Sequence, residues 1–243
     1  IVFGDWSSDV CSSDLFNVDA HNKIKITKSE SALNYPLEPL QFLQNGKKLN
    51  FVWIVIDAFR NDMLSDSITP NIREFANRSQ WFVNHCSGGN ATRFGIFSMF
   101  YGIYGSYWHQ FLGEQTPPVL IGELKKQNYE FLILASTKLT FPEFRKTCFV
   151  SIPESIQDEF EGSDASTKDP QLASNFIKWT QQRDTSKPFF SFLFFDGPHG
   201  PYMYPEVFEK RKPAIKNANY ITVDKKSAPA LKNGYMNALE FDD

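Results

Sequence analysis

A continuous apolar run that ends in an acid is the feature that most constrains how this chain can fold. The run covers residues 49–56, with a single polar residue near its start, and Asp57 follows it directly. Continuous rather than alternating apolarity predicts a strand covered on both faces, as in the parallel sheet of an α/β protein. Residues 131–136 and 189–195 are apolar in the same way and are predicted to be further strands.

Helical patterns lie between these runs. Thr69-Pro70 is a helix start, with Thr as the N-cap residue and Pro at the first helical position. Strands that alternate with helices predict a doubly wound, mostly parallel sheet flanked by helices. A shorter strand is predicted at 148–152, and the acidic stretch 154–169 is predicted to be a solvated loop. The other predicted helix starts are near Thr92, near Pro118, at Asp169-Pro170 and at Asn233.

Composition narrows the class of protein. The 243 residues carry a net charge of −3 and are 42% hydrophobic, which suits one globular domain or part of a larger one. The charge balance gives no indication of a nucleic-acid partner. The sequence has no run of about 18 apolar residues, the length that a membrane-spanning helix needs. Three cysteines without a Cys-x-x-Cys pair do not make a disulfide framework.

The start of the chain has an unusual repeat. Residues 5–15 contain Ser-Ser-Asp twice, in a run with neither helical nor strand periodicity. This pattern is typical of a translated sequencing adapter, and a natural polar loop is the alternative. We interpret 1–15 as an artefact that packs against nothing, 16–48 as a linker, and 49–243 as part of one domain. Under this interpretation the true upstream sequence is missing.

Three polar features could carry chemistry, and two of them, Asp57 and the turn 196–199, lie where a parallel α/β sheet collects functional groups, near the carboxyl ends of its strands. Asp57 can hold a divalent cation there, or can simply cap a turn. Thr92 follows two glycines and opens a helix, where its hydroxyl can attack phosphorus or sulfur, or merely cap the helix. His199 closes the turn 196–199 after the strand at 189–195. It can contact a phosphate or protonate a leaving group, and a satisfied surface histidine is the alternative.

The order of these features resembles the alkaline phosphatase and sulfatase superfamily. A strand ends in Asp57, Gly-Gly-Asn-Ala-Thr92 opens a helix, and His199-Gly-Pro-Tyr follows a later strand. The resemblance is strongest to the subgroup with a threonine nucleophile, which includes lipoteichoic acid synthase and the phosphoethanolamine transferases. It implies Asp57 as a metal ligand, Thr92 as nucleophile and metal ligand, and His199 as a residue on the substrate side. The implied cofactor is a divalent metal, Mg²⁺ or Mn²⁺.

Two departures from the superfamily pattern matter. The 243 residues lack its Ser-Asp-His-Gly metal motif, which is expected beyond the point where the chain stops. We therefore expect a C-terminally truncated domain with an incomplete metal site, and we assign Asp242 and Asp243 to the preceding helix. Cys86 is followed by Ser-Gly-Gly, so an arylsulfatase that uses formylglycine is disfavoured.

A narrower resemblance links the chain to Gram-negative inner-membrane proteins with a sulfatase-like periplasmic domain. It implies membrane helices upstream, acidic phospholipid or lipid A headgroups as partners, and control of lipopolysaccharide synthesis. Three hypotheses remain open: a metal-dependent phosphoester hydrolase or transferase, a lipid-sensing regulator, and a structural envelope domain. The resemblance is carried by residues 34–40, 88–92, 95–102, 106–108 and 237–243.

Overall fold

A computed structural model describes residues 32–41, 46–216 and 224–243. The interpretation of 1–15 as an artefact lies outside these residues, as does most of the predicted linker 16–48. In the described part of the chain the strands are β1 (Phe51–Ile56), β2 (Glu130–Ala135), β3 (Ile156–Gln157) and β4 (Phe189–Phe195). The α-helices there are α1 (Pro70–Asn77), α2 (Thr92–Tyr101), α3 (Trp108–Glu114), α4 (Val119–Lys126), α5 (Ala165–Gln182) and α6 (Ala228–Asp242).

The described strands form one parallel sheet with the order β1-β4-β2-β3. Ser191 in the central strand β4 is paired with Val52 on one side and Leu132 on the other. Helices α2, α3 and α4 cover one face of the sheet, and α5 covers the other. The prediction of a doubly wound parallel sheet flanked by helices is therefore confirmed.

The prediction that β1 is covered on both faces is wrong. β1 lies at the end of the described strand order, and the side chains of Val52 and Ile54 on one of its faces are 40% and 63% exposed. The fully covered strand is β4, whose Phe189–Leu193 residues are all buried. A continuous apolar run therefore marks membership of the sheet here, and it does not give the position within the sheet.

An aromatic cluster forms the core between the sheet and α2–α4. Phe192 on β4 is 1% exposed, and its ring centroid lies 5.3 Å from Phe100 and 5.5 Å from Phe149. Trp108, which is completely buried, meets Phe97 edge-on at 5.8 Å. Edge-to-face packing at these separations adds to the stabilisation from burial alone. The chain has 24 Phe residues, and this side of the sheet buries a part of them.

The predicted strand at 148–152 is wrong. Cys148 and Phe149 are fully buried, but the backbone there forms consecutive turns, such as the bond from the Ile152 N–H to the Phe149 carbonyl at 3.0 Å. A short apolar run is equally compatible with a buried strand and a buried turn, and the tertiary packing decides between them. The strand in this region is the two-residue β3, which follows a few residues later.

The start of α5 also differs from the prediction. The helix begins at Ala165, because the Asp164 carboxylate accepts the Ser166 backbone N–H at 3.0 Å and caps the N-terminus. Pro170 therefore lies inside the helix, and Asp169 is only 3% exposed. The interpretation of 154–169 as a solvated loop is wrong at two places: Asp158 is buried directly after β3, and Asp169 is buried within α5.

Helix α1 has an unexpected cap. Thr69 is its N-cap residue, as predicted, but the Thr69 hydroxyl donates to the Met63 carbonyl. The free backbone N–H groups of Asn71 and Ile72 instead donate to the carboxylate of Asp243, at 3.0 and 2.8 Å. Because Asp243 is the C-cap residue that follows α6, one residue past the helix to which the sequence analysis assigned it, this bond fastens the start of α1 to the end of α6.

Among the described residues, the structure contains no helix with the length and apolarity needed to cross a membrane.

Candidate functional site

Asp57 is placed by the end of β1. Its backbone N–H donates to the Phe195 carbonyl at 2.9 Å, which continues the ladder between β1 and β4 by one residue. The next residue, Ala58, has a φ of +58°, and its N–H donates to the Asp57 carboxylate at 2.9 Å. This sharp turn leaves Asp57 buried, at 6% exposure, at the carboxyl edge of the sheet.

Thr92 is brought to the same point by the glycine-rich loop before α2. A Cβ atom at Gly89 would stand 2.4 Å from the Cβ of Phe94, so only glycine lets the loop pack against its own helix. The Thr92 hydroxyl donates to Asp57, with its oxygen 2.9 Å from Oδ2 and 3.2 Å from Oδ1. Ala91 is the N-cap residue of α2, so the alternative that Thr92 merely caps the helix does not hold.

His199 lies on an exposed turn after β4, directly beyond the same edge of the sheet. Its N–H donates to the Asp196 carbonyl at 3.1 Å, and its carbonyl accepts the Tyr202 N–H at 2.9 Å. The imidazole is close enough for its charge to lower the pKa of Asp57 and of Asp196. The structure thus places His199 exposed on a turn beside two site carboxylates, and its role on the substrate side stays a prediction.

The local electrostatics set the protonation of the site. Burial raises the pKa of Asp57, and the His199 charge, the Thr92 hydroxyl and the Ala58 N–H each oppose part of that rise. Burial also raises the pKa of Asp196, to about 7, with the Asp57 and Asp169 carboxylates adding to the rise. Perturbed carboxyl groups of this kind are typical of functional sites.

Two further acids lie behind the His199 turn, and sequence reasoning missed both. A Cβ atom at Gly197 would stand 2.6 Å from a carboxyl oxygen of Asp242 and 2.9 Å from one of Asp169. Both carboxyl oxygens of Asp242 and one of Asp169 are buried and accept no hydrogen bond within the described residues. The signal in the sequence that could have found Asp242 is its helical spacing from Tyr235 and Leu239, which places the three residues on one side of α6.

Burial and mutual repulsion make this acid pair hard to ionise. Burial raises the pKa of Asp169 to about 6. It raises the pKa of Asp242 well above its ordinary range, and the nearby Asp169 carboxylate raises it further. Two carboxyl groups in such contact favour a state in which they hold a proton. Asp242 is the last residue of α6, as the sequence analysis assigned it.

Part of a metal site can be assembled from these side chains. The hydroxyl of Thr92 and the carboxylate of Asp57 are hard oxygen donors that meet at one point, as Mg²⁺ and Mn²⁺ require. Within the described ranges, no three His, Cys, Asp or Glu side chains are grouped so that they could hold a metal ion. The two residues thus fit two positions of a coordination shell, and the remaining positions need other donors.

Comparison with protein families decides the relationship. The sulfatase family model matches residues 49–243, which include Asp57, Thr92 and His199. The chain belongs to the sulfatase family. The match begins at the start of the predicted domain and spans all the described helices and strands.

Comparison with individual proteins agrees. The chain is 29% identical to the inner membrane protein YejM of Salmonella typhimurium over 182 residues, covering 74% of this chain and 30% of YejM. The soluble domain of lipooligosaccharide phosphoethanolamine transferase A from Neisseria meningitidis shares the fold, with a TM-score of 0.59 and 18% identity. The match covers 83% of this chain and 61% of that domain. The comparison with an alkaline phosphatase superfamily protein from Vibrio parahaemolyticus has a TM-score of 0.55 and 19% identity, and it covers 81% of this chain and 49% of that protein. The chain spans less than a third of YejM.

Proposed function

We propose that this chain is a sulfatase-like domain, facing the periplasm, of an inner-membrane protein that senses lipid and regulates lipopolysaccharide and outer-membrane homeostasis. Its site would hold Mg²⁺ or Mn²⁺ at Asp57 and Thr92 and bind a phosphate group beside His199. Acidic phospholipid or lipid A headgroups are the proposed source of that phosphate. The relationship to YejM and the fold shared with phosphoethanolamine transferases support this proposal.

One observation carries the proposal: the contact of the Thr92 hydroxyl with both oxygens of Asp57. A buried carboxylate and a helix-opening hydroxyl have been brought from positions 35 residues apart to one point of the sheet edge. Structural capping does not need this arrangement, because Ala91 is the N-cap residue of α2. A divalent cation there supplies positive charge that attracts phosphate oxygens and favours ionisation of a neighbouring hydroxyl.

The residues themselves have distinct proposed roles. Asp57 supplies negative charge at a buried position, and Thr92 supplies a hydroxyl at the positive end of α2. His199 is exposed on its turn and can donate a proton or a hydrogen bond to a bound phosphate. An active phosphoester hydrolase or phosphoryl-group transferase with Thr92 as nucleophile is the alternative, favoured by the contact between Thr92 and Asp57.

The binding prediction is tested with Mn²⁺ and the 243-residue chain, by isothermal titration calorimetry. Asp57→Asn is expected to weaken Mn²⁺ binding at least about tenfold, since it removes the only formal charge among the two donors. Thr92→Ala is expected to weaken it by less. Thr180→Ala on α5, where the Thr180 hydroxyl donates to the Ile177 carbonyl, is the matched control and should bind as the wild type does. Equal Mn²⁺ affinity in Asp57→Asn and wild type would contradict the metal assignment.

Turnover separates the regulatory proposal from the enzymatic alternative. With two protein ligands the cation is weakly held, so we expect this chain to hydrolyse an aryl phosphate poorly with added Mg²⁺ or Mn²⁺. Binding to vesicles that contain lipid A is measured in parallel. Strong metal-dependent turnover that is lost in Thr92→Ala would favour the enzyme. Vesicle binding without turnover, both here and in a chain extended past residue 243, would favour the sensor.

A further inference from the structure

Helix α6 presents one buried face to the candidate site. Tyr235, Leu239 and Asp242 are spaced four and three residues apart, so they lie along one side of the helix. Tyr235 is 7% exposed and Leu239 is completely buried. Sequence reasoning gave this face no role, yet its two polar members lie against the turns that follow β1 and β4.

The Tyr235 hydroxyl holds the turn that carries Asp57. It donates to the Ala58 carbonyl at 2.7 Å and accepts the Arg60 backbone N–H at 3.1 Å. One side chain, 177 residues further along the chain, therefore bonds both ends of this turn. The two bonded residues, Ala58 and Arg60, follow Asp57 closely in the chain.

The turn needs such support because Ala58 is in the left-handed region, at φ +58°. A residue with a Cβ atom is strained in that region, and it stays there only where surrounding contacts hold it. The Ala58 N–H also donates to the Asp57 carboxylate, so relaxation of this turn would move the carboxylate as well.

The same ring reaches the other turn of the site. The Tyr235 ring lies 5.6 Å from the ring of Tyr202, whose N–H donates to the His199 carbonyl. Tyr202 also has a positive φ, of +62°. Tyr235 thus contacts both turns, through its hydroxyl on the Asp57 side and through its ring on the His199 side.

We infer that Tyr235 is a positioning residue that sets the Asp57 carboxylate against Thr92. The inference rests on the proposed metal-binding function of that pair. Tyr235 acts through the backbone of Ala58 and Arg60. It also connects the site to α6, so that this helix must be packed before the metal donors reach their places.

Tyr235→Phe tests the inference, because it removes the hydroxyl and keeps the ring beside Tyr202. The matched control is Tyr204→Phe, which deletes a buried hydroxyl that accepts a hydrogen bond from Asn237, also on α6, away from the Asp57 turn. In the 243-residue chain, Tyr235→Phe is expected to weaken Mn²⁺ binding about fivefold or more. Tyr204→Phe should leave the Mn²⁺ affinity within about twofold of wild type, although we expect it to lower the melting temperature about as much as Tyr235→Phe does.

Hydrogen exchange of the Ala58 and Arg60 amides provides a second measurement that needs no metal. Both amides should exchange faster in Tyr235→Phe than in wild type or Tyr204→Phe. Unchanged exchange, or Mn²⁺ affinity in Tyr235→Phe equal to wild type, would overturn the inference. If wild type itself binds no Mn²⁺ in a manner dependent on Asp57, the proposed function fails, and faster exchange would still support the positional role of Tyr235.

Discussion

Asp169→Asn is expected to raise the melting temperature of this protein at pH 7.5. The wild type must then either ionise two buried carboxyl groups in contact or keep a proton at a cost. The asparagine side chain keeps an oxygen for the Asp196 N–H and adds an amide that can donate to Asp242, whose oxygens accept no bond within the described residues. Burial is the main cause of the raised pKa of Asp242, and repulsion from the Asp169 carboxylate is the next. An uncharged asparagine at position 169 removes that repulsion.

The sign follows from linkage. The pKa of Asp169 is about 6 in the folded protein and near its ordinary 3.8 in the unfolded chain. The folded state thus binds this proton more tightly than the unfolded state does. Proton binding contributes its whole share of the unfolding free energy below the unfolded pKa, and that share is lost as pH rises through the folded pKa. The shift corresponds to about 3 kcal/mol lost between pH 4 and 8 in wild type, and Asp169→Asn should lose less.

The measurement is thermal unfolding of both proteins from pH 4 to 8, where a gain of about 5 °C for Asp169→Asn is expected at pH 7.5. Asp158→Asn is the control of opposite sign. Burial alone would raise the pKa of Asp158, but bonds from Arg145 and from the Leu139 N–H hold it below its ordinary range. That variant should therefore lose stability at pH 7.5. A fall in melting temperature for Asp169→Asn would refute the acid-pair assignment.

Phe192→Ala is expected to cost about 3–5 kcal/mol of unfolding free energy. Phe192 is 1% exposed on the central strand, and its ring meets Phe100, Phe149 and Phe194. Truncation removes apolar burial and leaves a cavity that rings from the sheet, α2 and the 148–152 turns cannot all move to fill.

Denaturant unfolding measures this loss, with Phe75→Ala on α1 as the control. Phe75 is 54% exposed, so the same chemical change there should cost less than about 1 kcal/mol. A comparable loss in the two variants would mean that the aromatic cluster is not the core of the protein.

The sequence predicted those parts of the molecule that local pattern encodes. The run before Asp57 indicated a sheet strand, and the glycines before Thr92 indicated a helix start. The edge rule for parallel sheets selected Asp57 and the His199 turn, and the superfamily resemblance implied that Thr92 meets Asp57. The convergence of Asp169 and Asp242 was not predictable, because it depends on how α5 and α6 pack around Gly197.

The wrong predictions about strands have a common physical cause, and the wrong start of α5 has another. The strand predicted at 148–152 and the covered position of β1 both rested on apolarity alone, which reports burial and not the partner that provides it. Asp164 replaced Asp169-Pro170 as the start of α5 because a capping carboxylate five residues earlier was available. Such competition between nearby signals is settled by tertiary contacts.

The pairing of β1 with β4 has a consequence for biosynthesis. Phe51 finds its strand partner in Phe190, about 140 residues later in the order of translation. At roughly 5–20 residues per second, the ribosome needs about 7–28 s to deliver that partner. For that time the nascent apolar segment has no sheet to join, and local helices can form around it first. We therefore expect β1 to stay without a strand partner in the growing chain until β4 emerges.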